Sequence, residues 1–174
     1  MNREVLQQKL KSNHQSFIDH ILSLDEAAYN FSMEGKWNAG QVLDHLQRAV
    51  STLSLALLLP KQVFGLLFGK ANRPSKDYEG LVAKYRQKLS EGGKAHGRYL
   101  PAIVPFHKRN DSAAALQKSV IAVCKRLNAF NETQLDTYIL PHPLMGKITM
   151  REMMYFTIYH AEHHLRILQH SANN

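Results

Sequence analysis

Apolar residues recur at three- and four-residue steps in four separate stretches of the chain, and each stretch predicts an amphipathic helix. Residues 4–29 carry Leu6, Leu10, Phe17, Ile21, Leu24 and Ala28 on one stripe; His14 falls on the same line, and His20 lies off it, toward solvent. A second stripe holds Val42, His45, Leu46, Ala49, Leu53, Ala56 and Leu57. It begins after Asn38, a residue type that caps helix starts, and stops at Pro60, which cannot continue a helix. The third begins at Asp111 or Ser112 and carries Leu116, Val120, Val123, Leu127 and Phe130. The fourth runs from Thr149 to about His170. Thr149 and Glu152 have the spacing of a capping box, and neither Pro nor Gly interrupts the rest of the stretch.

The connections carry different weight. Residues 30–37 end on Trp37, the only tryptophan, and residues 131–148, with Pro141-His142-Pro143 and Gly146, read as a plain connection. No strand-like alternation of any length is present. Residues 60–110 are too long for a simple link, and insertions of that length usually bind or act on something. Within them, Val63–Phe68 reads as a short apolar turn of helix broken by Gly65 and Gly69. Tyr78–Leu89 reads as a helix with Leu81, Val82, Tyr85 and Leu89 on one side, ended by Glu91-Gly92-Gly93. The expectation is therefore an all-α chain of four main helices packed as a bundle. It forms a single domain over residues 1–174, with an insertion at about 61–109 and a polar tail from Ser171.

Composition sharpens this picture at three points. With 44% hydrophobic and 21% charged residues, the chain has the balance of a soluble globular protein rather than a disordered one. The N-terminal residues have no apolar run of signal-peptide type, the longest nearly uncharged stretch (Ala49–Pro60) is too short to span a bilayer, and Cys124 has no partner for a disulfide. A cytoplasmic protein is expected. The net charge of +8 has one source: residues 61–109 hold eleven Lys/Arg against three acids, while the rest of the chain is balanced. Such a segment is a solvated surface, a rim that attracts an acidic cosubstrate, or a nucleic-acid or membrane contact. No nucleic-acid module is recognisable in it, and Gly65 and Gly69 interrupt its only apolar helix, so neither nucleic acid nor membrane is expected as partner.

The chemistry resides in the histidines. Residues four apart on a helix share a face, so His160 and His164 point the same way and continue the apolar stripe Met153, Phe156, His160, His164, Ile167. His45 sits in the same manner on another helix. Three neutral imidazoles converging inside a bundle make a site for a divalent transition ion, and three protein ligands leave positions open for reactants. His163, three residues after His160, is an alternative to His164. His14 is a further interior candidate. Glu162 and Asp44 leave their helices on other bearings, and His142 either approaches the site or faces water. Cys124 reads as a small apolar filler.

Two segments, Trp37-Asn38-Ala39-Gly40-Gln41-Val42-Leu43-Asp44-His45-Leu46 and Tyr159-His160-Ala161-Glu162-His163-His164-Leu165-Arg166, resemble the DinB-like (DinB/YfiT) superfamily. That family is similar in size, with a Trp before the second helix, a His about eight residues on, and a His-x-x-x-His pair in the last helix. The resemblance implies an up-down-down-up four-helix bundle. It also implies a divalent metal, Zn or Ni, held by His45, His160 and His164, with His163, Trp37 and His14 left as neighbours of the metal or substrate. Family members with an assigned activity are metal-dependent transferases using low-molecular-weight thiols, and others are described as metal-dependent hydrolases. Ile167 stands where relatives often carry Gln, so a contact made by that Gln is missing here.

The expected function is thus a metal-dependent thiol transferase or hydrolase acting on a small electrophile, with a homodimer as a possible assembly. The rival expectation is a metal-binding or interaction protein without turnover.

Overall fold

The structure is a computed structural model and describes residues 1–171, predominantly helical with one small two-stranded sheet. Four long helices carry the chain: α1 (Arg3–Ser23), α3 (Ala39–Ala56), α6 (Arg109–Leu127) and α8 (Met150–Ser171). Four short ones lie between them: α2 (Glu26–Asn30), α4 (Lys61–Leu67), α5 (Tyr78–Ser90) and α7 (Glu132–Thr137). Helix α1 packs along α6 and α8, while α3 packs along α6 and only lightly against α8. Their apolar stripes meet in one core that includes Leu10, Phe17, Leu43, Leu46, Leu116, Val123 and Met154. Of the polar tail expected at 171–174, Ser171 still belongs to α8, and the remainder lies outside the described residues.

The capping signals behave as their chemistry demands. Asn38 accepts from the Gln41 backbone N–H while the Gln41 side chain accepts from the Asn38 N–H, a complete capping box at the start of α3. Thr149 and Glu152 make the same reciprocal pair at the start of α8.

Four expectations need correction. The helix expected at 4–29 is two helices. The chain turns extended at Leu24, and the Asp25 carboxylate, accepting from the Ala28 N–H, starts α2 afresh. Gly65 does not break α4, whose end is set by Gly69 in the left-handed conformation (φ +88°). Helix α6 starts at Arg109, ahead of the expected Asp111 or Ser112, because a 3-10 turn at Phe106–Lys108 leads directly into it. The connection at 131–148 is structured and the fold is not purely helical. Asn131 and Gln134 form a third capping box opening α7, and β1 (Ile139–His142) pairs antiparallel with β2 (Gly146–Thr149). Strands of four residues show too little alternation to be recognised from sequence, and Gly146 (φ +73°) supplies the turn.

The basic insertion is not a detached surface. Helix α5 lies on α8, burying Leu81, Val82 and Tyr85. Its leading segment is tied to the start of α8, where Arg73 and the Lys76 N–H both donate to the Glu152 carboxylate. The trailing segment lies on α3. Gly40 is required there, since a Cβ at this position would fall 2.6 Å from the Val104 carbonyl oxygen and 2.7 Å from the Tyr29 hydroxyl. The chain between 97 and 105 is thereby laid across the first turns of α3, directly over His45.

Candidate metal centre

Helices α3 and α8 bring three imidazoles together. His160 and His164 stand one turn apart on α8, and His45 faces them from the second turn of α3. The Nε2 of His160 lies 3.1 Å from the Nε2 of His45 and 3.1 Å from the Nε2 of His164. All three ligand atoms lie within 4.8 Å of one another. His160, His45 and His164 are buried, at 5%, 6% and 9% exposed.

The tautomer of His45 is set by its surroundings. Its Nδ1 is 2.8 Å from the Tyr99 carbonyl oxygen, which can only accept, so Nδ1 carries the proton and Nε2 presents a lone pair to the cluster. Asp44, next in sequence, steadies the same strap by accepting from the Ala102 N–H at 2.7 Å and from Arg48. Trp37 closes another side, its ring 4.9 Å from that of His45 and stacked 6.4 Å from that of His164. Phe156 stacks on His160 at 4.7 Å.

Burial holds His160 and His164 well below the usual imidazole pKa, and mutual repulsion among the rings lowers them further. His45 is also lowered by burial, against the upward pull of the Tyr99 carbonyl and Asp44. All three are therefore neutral at pH 7, the form that binds metal. Three converging Nε2 atoms cannot all be satisfied by hydrogen bonds to one another, because the His160 Nε2 would have to serve two neighbours at once. A divalent ion satisfies all three. With metal–nitrogen bonds of about 2.0–2.1 Å, tetrahedral ligand nitrogens stand roughly 3.3 Å apart, close to the two 3.1 Å separations from the His160 Nε2. The residues present fit such an ion.

The other expected site residues divide between neighbours of the cluster and residues remote from it. His163 is half-buried and lies beside the cluster, its ring stacked on Tyr159 at 5.9 Å, outside the group of three. His14 is not brought to the site. It is 1% exposed within the core, its Nδ1–H donating to the Leu10 carbonyl, and burial lowers its pKa to about 4. His142 approaches the site rather than facing water: it is buried and lines the same cavity as the three histidines. Its Nδ1 accepts from the Leu144 and Met145 N–H groups across the hairpin turn, and its ring rests on Phe156 at 4.2 Å. His20, expected in solvent, is half-buried. Glu162 is half-buried and faces Arg166. Cys124 is buried, donates to the Gln7 carbonyl, and has its thiol pushed up to about 11 by burial, so it is no nucleophile at neutral pH.

The cluster forms part of the wall of a cavity of about 1380 Å³. The cavity runs between α3 and α8, with Trp37, His20 and the 93–100 strap at one side and the hairpin at the other. Sequence reasoning missed Tyr99 as a site residue, and no side-chain signal exists for it, because the contact uses its backbone oxygen.

A family model, the DinB superfamily, matches residues 9–168. No curated protein and no solved structure matches the chain. The chain belongs to the DinB superfamily, and its late paired histidines and His45 form a three-histidine group of the kind that holds a divalent metal. Among the described residues no single helix is long and apolar enough to cross a membrane.

Proposed function

We propose that the protein is a metal-dependent enzyme that transfers a low-molecular-weight thiol, or adds water, to a small electrophile at His45, His160 and His164. One observation carries this reading: three neutral imidazoles converge on the wall of a large cavity, the His160 Nε2 lying 3.1 Å from each of the other two and all three ligand atoms within 4.8 Å, with one ring locked by the Tyr99 carbonyl. A divalent ion bound there, Zn or Ni, supplies Lewis acidity and lowers the pKa of a thiol or water beside it. The chain's own residues do the rest. The Tyr99 carbonyl keeps the His45 Nε2 lone pair directed at the focus. Trp37 and Phe156 exclude water from two sides. Lys36, Lys94 and Arg98, which line the cavity, draw in an anionic cosubstrate.

The finer fold belongs to the same proposal: an up-down-down-up four-helix bundle in a single domain over residues 1–174, working in the cytoplasm, with pairing as a homodimer. The bundle reading is supported by the family match and by the packing of α1, α3, α6 and α8. A second reading has its own support. His45 and the His160–His164 pair lie on helices that otherwise touch only lightly, so an ion there would act as a clip between α3 and α8 without turnover.

The test is elemental analysis of untagged wild-type protein beside His160→Ala, then assay with a small thiol and an alkylating electrophile. About one ion per chain, lost in the variant, with metal-dependent consumption of thiol, supports the enzyme. Metal that raises thermal stability by about 2.7 kcal/mol at a hundredfold excess over Kd, with no turnover, supports the clip. Absence of metal after reconstitution would falsify both.

A further inference from the structure

The cavity is larger and more apolar than a small thiol and a small electrophile require. Pockets for drug-sized ligands typically enclose about 300–1,000 Å³, and this one encloses about 1380 Å³. It is lined along both α3 (Ala39 to Ala56) and α8 (Met153 to Leu168). From His45 to Ala56 the lining continues along α3 for roughly 16 Å at the helical rise per residue. Beyond the histidines the wall is built by Leu53, Ala56, Phe68, Leu140 and Met153, with no charged side chain among them. The charged lining residues gather instead at the histidine end. Lys36 adjoins Trp37, and Lys94 and Arg98 belong to the strap that carries Tyr99. All three are exposed, and none is in an ion pair with an Asp or Glu of the described residues. Among the described residues no Asp or Glu lines the cavity.

We propose that the cavity binds an anionic amphiphile, a single apolar chain with an acidic head, the chain lying between α3 and α8 and the head beside Lys36, Lys94 and Arg98. The charge pattern gives the ligand its direction. An acid is attracted at the histidine end and has no partner at the other, while a chain of that length removes about as much apolar surface from water as the groove can cover. The head is held next to the three imidazoles, where a reactive group near it meets whatever the site activates. A hydrophilic anion would leave the apolar half of the groove uncovered, and a neutral hydrocarbon would leave the three cations unused. The inference deepens the proposed function by naming its substrate class, and it relies on that reading only for the reaction, not for the binding.

The experiment uses cis-parinarate, whose fluorescence rises in an apolar site, with metal content measured on the same samples. Trp37 is the only tryptophan and lines the cavity, so its quenching reports occupancy directly. Wild type is expected to bind parinarate with quenching of Trp37, and an equally long alcohol should compete at least about tenfold less well than the acid. Ala56→Trp, which fills the apolar end while leaving the histidines alone, should weaken parinarate by about tenfold or more at unchanged metal content. The double variant Lys94→Ala/Arg98→Ala should erase the preference for acid over alcohol. Displacement by decanoate or by lysophosphatidate identifies the head group as carboxylate or phosphate. Parinarate binding by protein that holds no metal would sustain this inference and sink the metal reading. Metal-loaded protein that leaves parinarate dark, or binding indifferent to Ala56→Trp, would overturn the inference and spare the metal site.

Discussion

The two ends of α8 treat buried polar groups in opposite ways. At the N-terminal end, Glu152 is fully buried, yet its carboxylate accepts from Arg73 at 2.7 and 2.9 Å, from the Lys76 N–H at 2.8 Å and from the Thr149 N–H at 2.8 Å. Beside it, Arg151 donates to Asp136, to Glu132 and to the Met1 carbonyl. Every charge there is answered by the chain itself. About two to three turns further on, His160 and His164 face each other and His45 with no carboxylate and no backbone group at the point where their nitrogens meet. The first arrangement holds the structure together: it clamps the insertion and α7 onto the start of α8. The second is complete only with something added. Buried polar groups satisfied from within report architecture, and those left facing one another report a ligand.

Three perturbations sharpen the contrast, and acid has the largest effect. His14 and His142 are held near pKa 4 by burial, while the unfolded chain takes up protons on the same groups near 6.5. In that window the unfolded state binds more protons, so stability rises with pH and falls as pH drops from 6.5 toward 4. The loss is about 2 kcal/mol for each of the two by pH 5. For Glu152, burial alone would raise the carboxyl, but Arg73 and the two backbone N–H groups hold it below its ordinary value. Its contribution is therefore intact above 4.5 and is lost only below that. Urea unfolding of metal-free protein at pH 7, 6 and 5 should show the decline already under way well above pH 4.5, and a His14→Leu variant should show a shallower slope.

Next comes the N-terminal clamp. Glu152→Gln removes the charge and leaves Arg73 and two backbone donors poorly matched in a buried place, at a cost of about 3 kcal/mol in chemical unfolding. Metal content, measured where the variant remains folded, should match wild type. Loss of metal without loss of stability would mean that the two ends of α8 are not independent.

The smallest effect belongs to His163. Its Nε2 is outside the group of three, and its ring is packed on Tyr159. His163→Ala should leave metal content unchanged and cost about 1 kcal/mol from the lost ring contact. A His163→Ala protein that no longer holds metal would mean that the ligand set is His45, His160 and His163.

Much of the fold is legible in the order of residues alone. Three of the four stripes place their long helices to within about three residues, because burial of one face is a local, periodic demand on the chain; the first stripe runs on through two helices, α1 and α2. The Asn38 cap and the Thr149–Glu152 capping box are visible for the same reason: their partners lie within three residues. The box at Asn131–Gln134 is equally local, yet residues 131–148 read as a plain connection, which passes over it and the α7 that it starts. The hairpin was not legible, since four-residue strands, one of them containing Pro141, have no period to count. The choice between His163 and His164 was open from spacing alone, since both are near neighbours of His160 on a helix. It required knowing which side of α8 faces α3.

The sequence by itself determined the four long helical stretches, the candidate imidazoles on their apolar stripes and the concentration of positive charge in residues 61–109, all of which depend on residue type and short-range spacing. Only the tertiary structure decided that His45 meets His160 across 115 positions of chain and that Tyr99, 54 positions from His45, fixes its tautomer. It alone showed that the insertion is part of the core and that a cavity opens between α3 and α8. The physical reason is the same in each case. A backbone carbonyl, a gap between helices and a long-range contact carry no residue-type signature; they come into being only when distant elements pack.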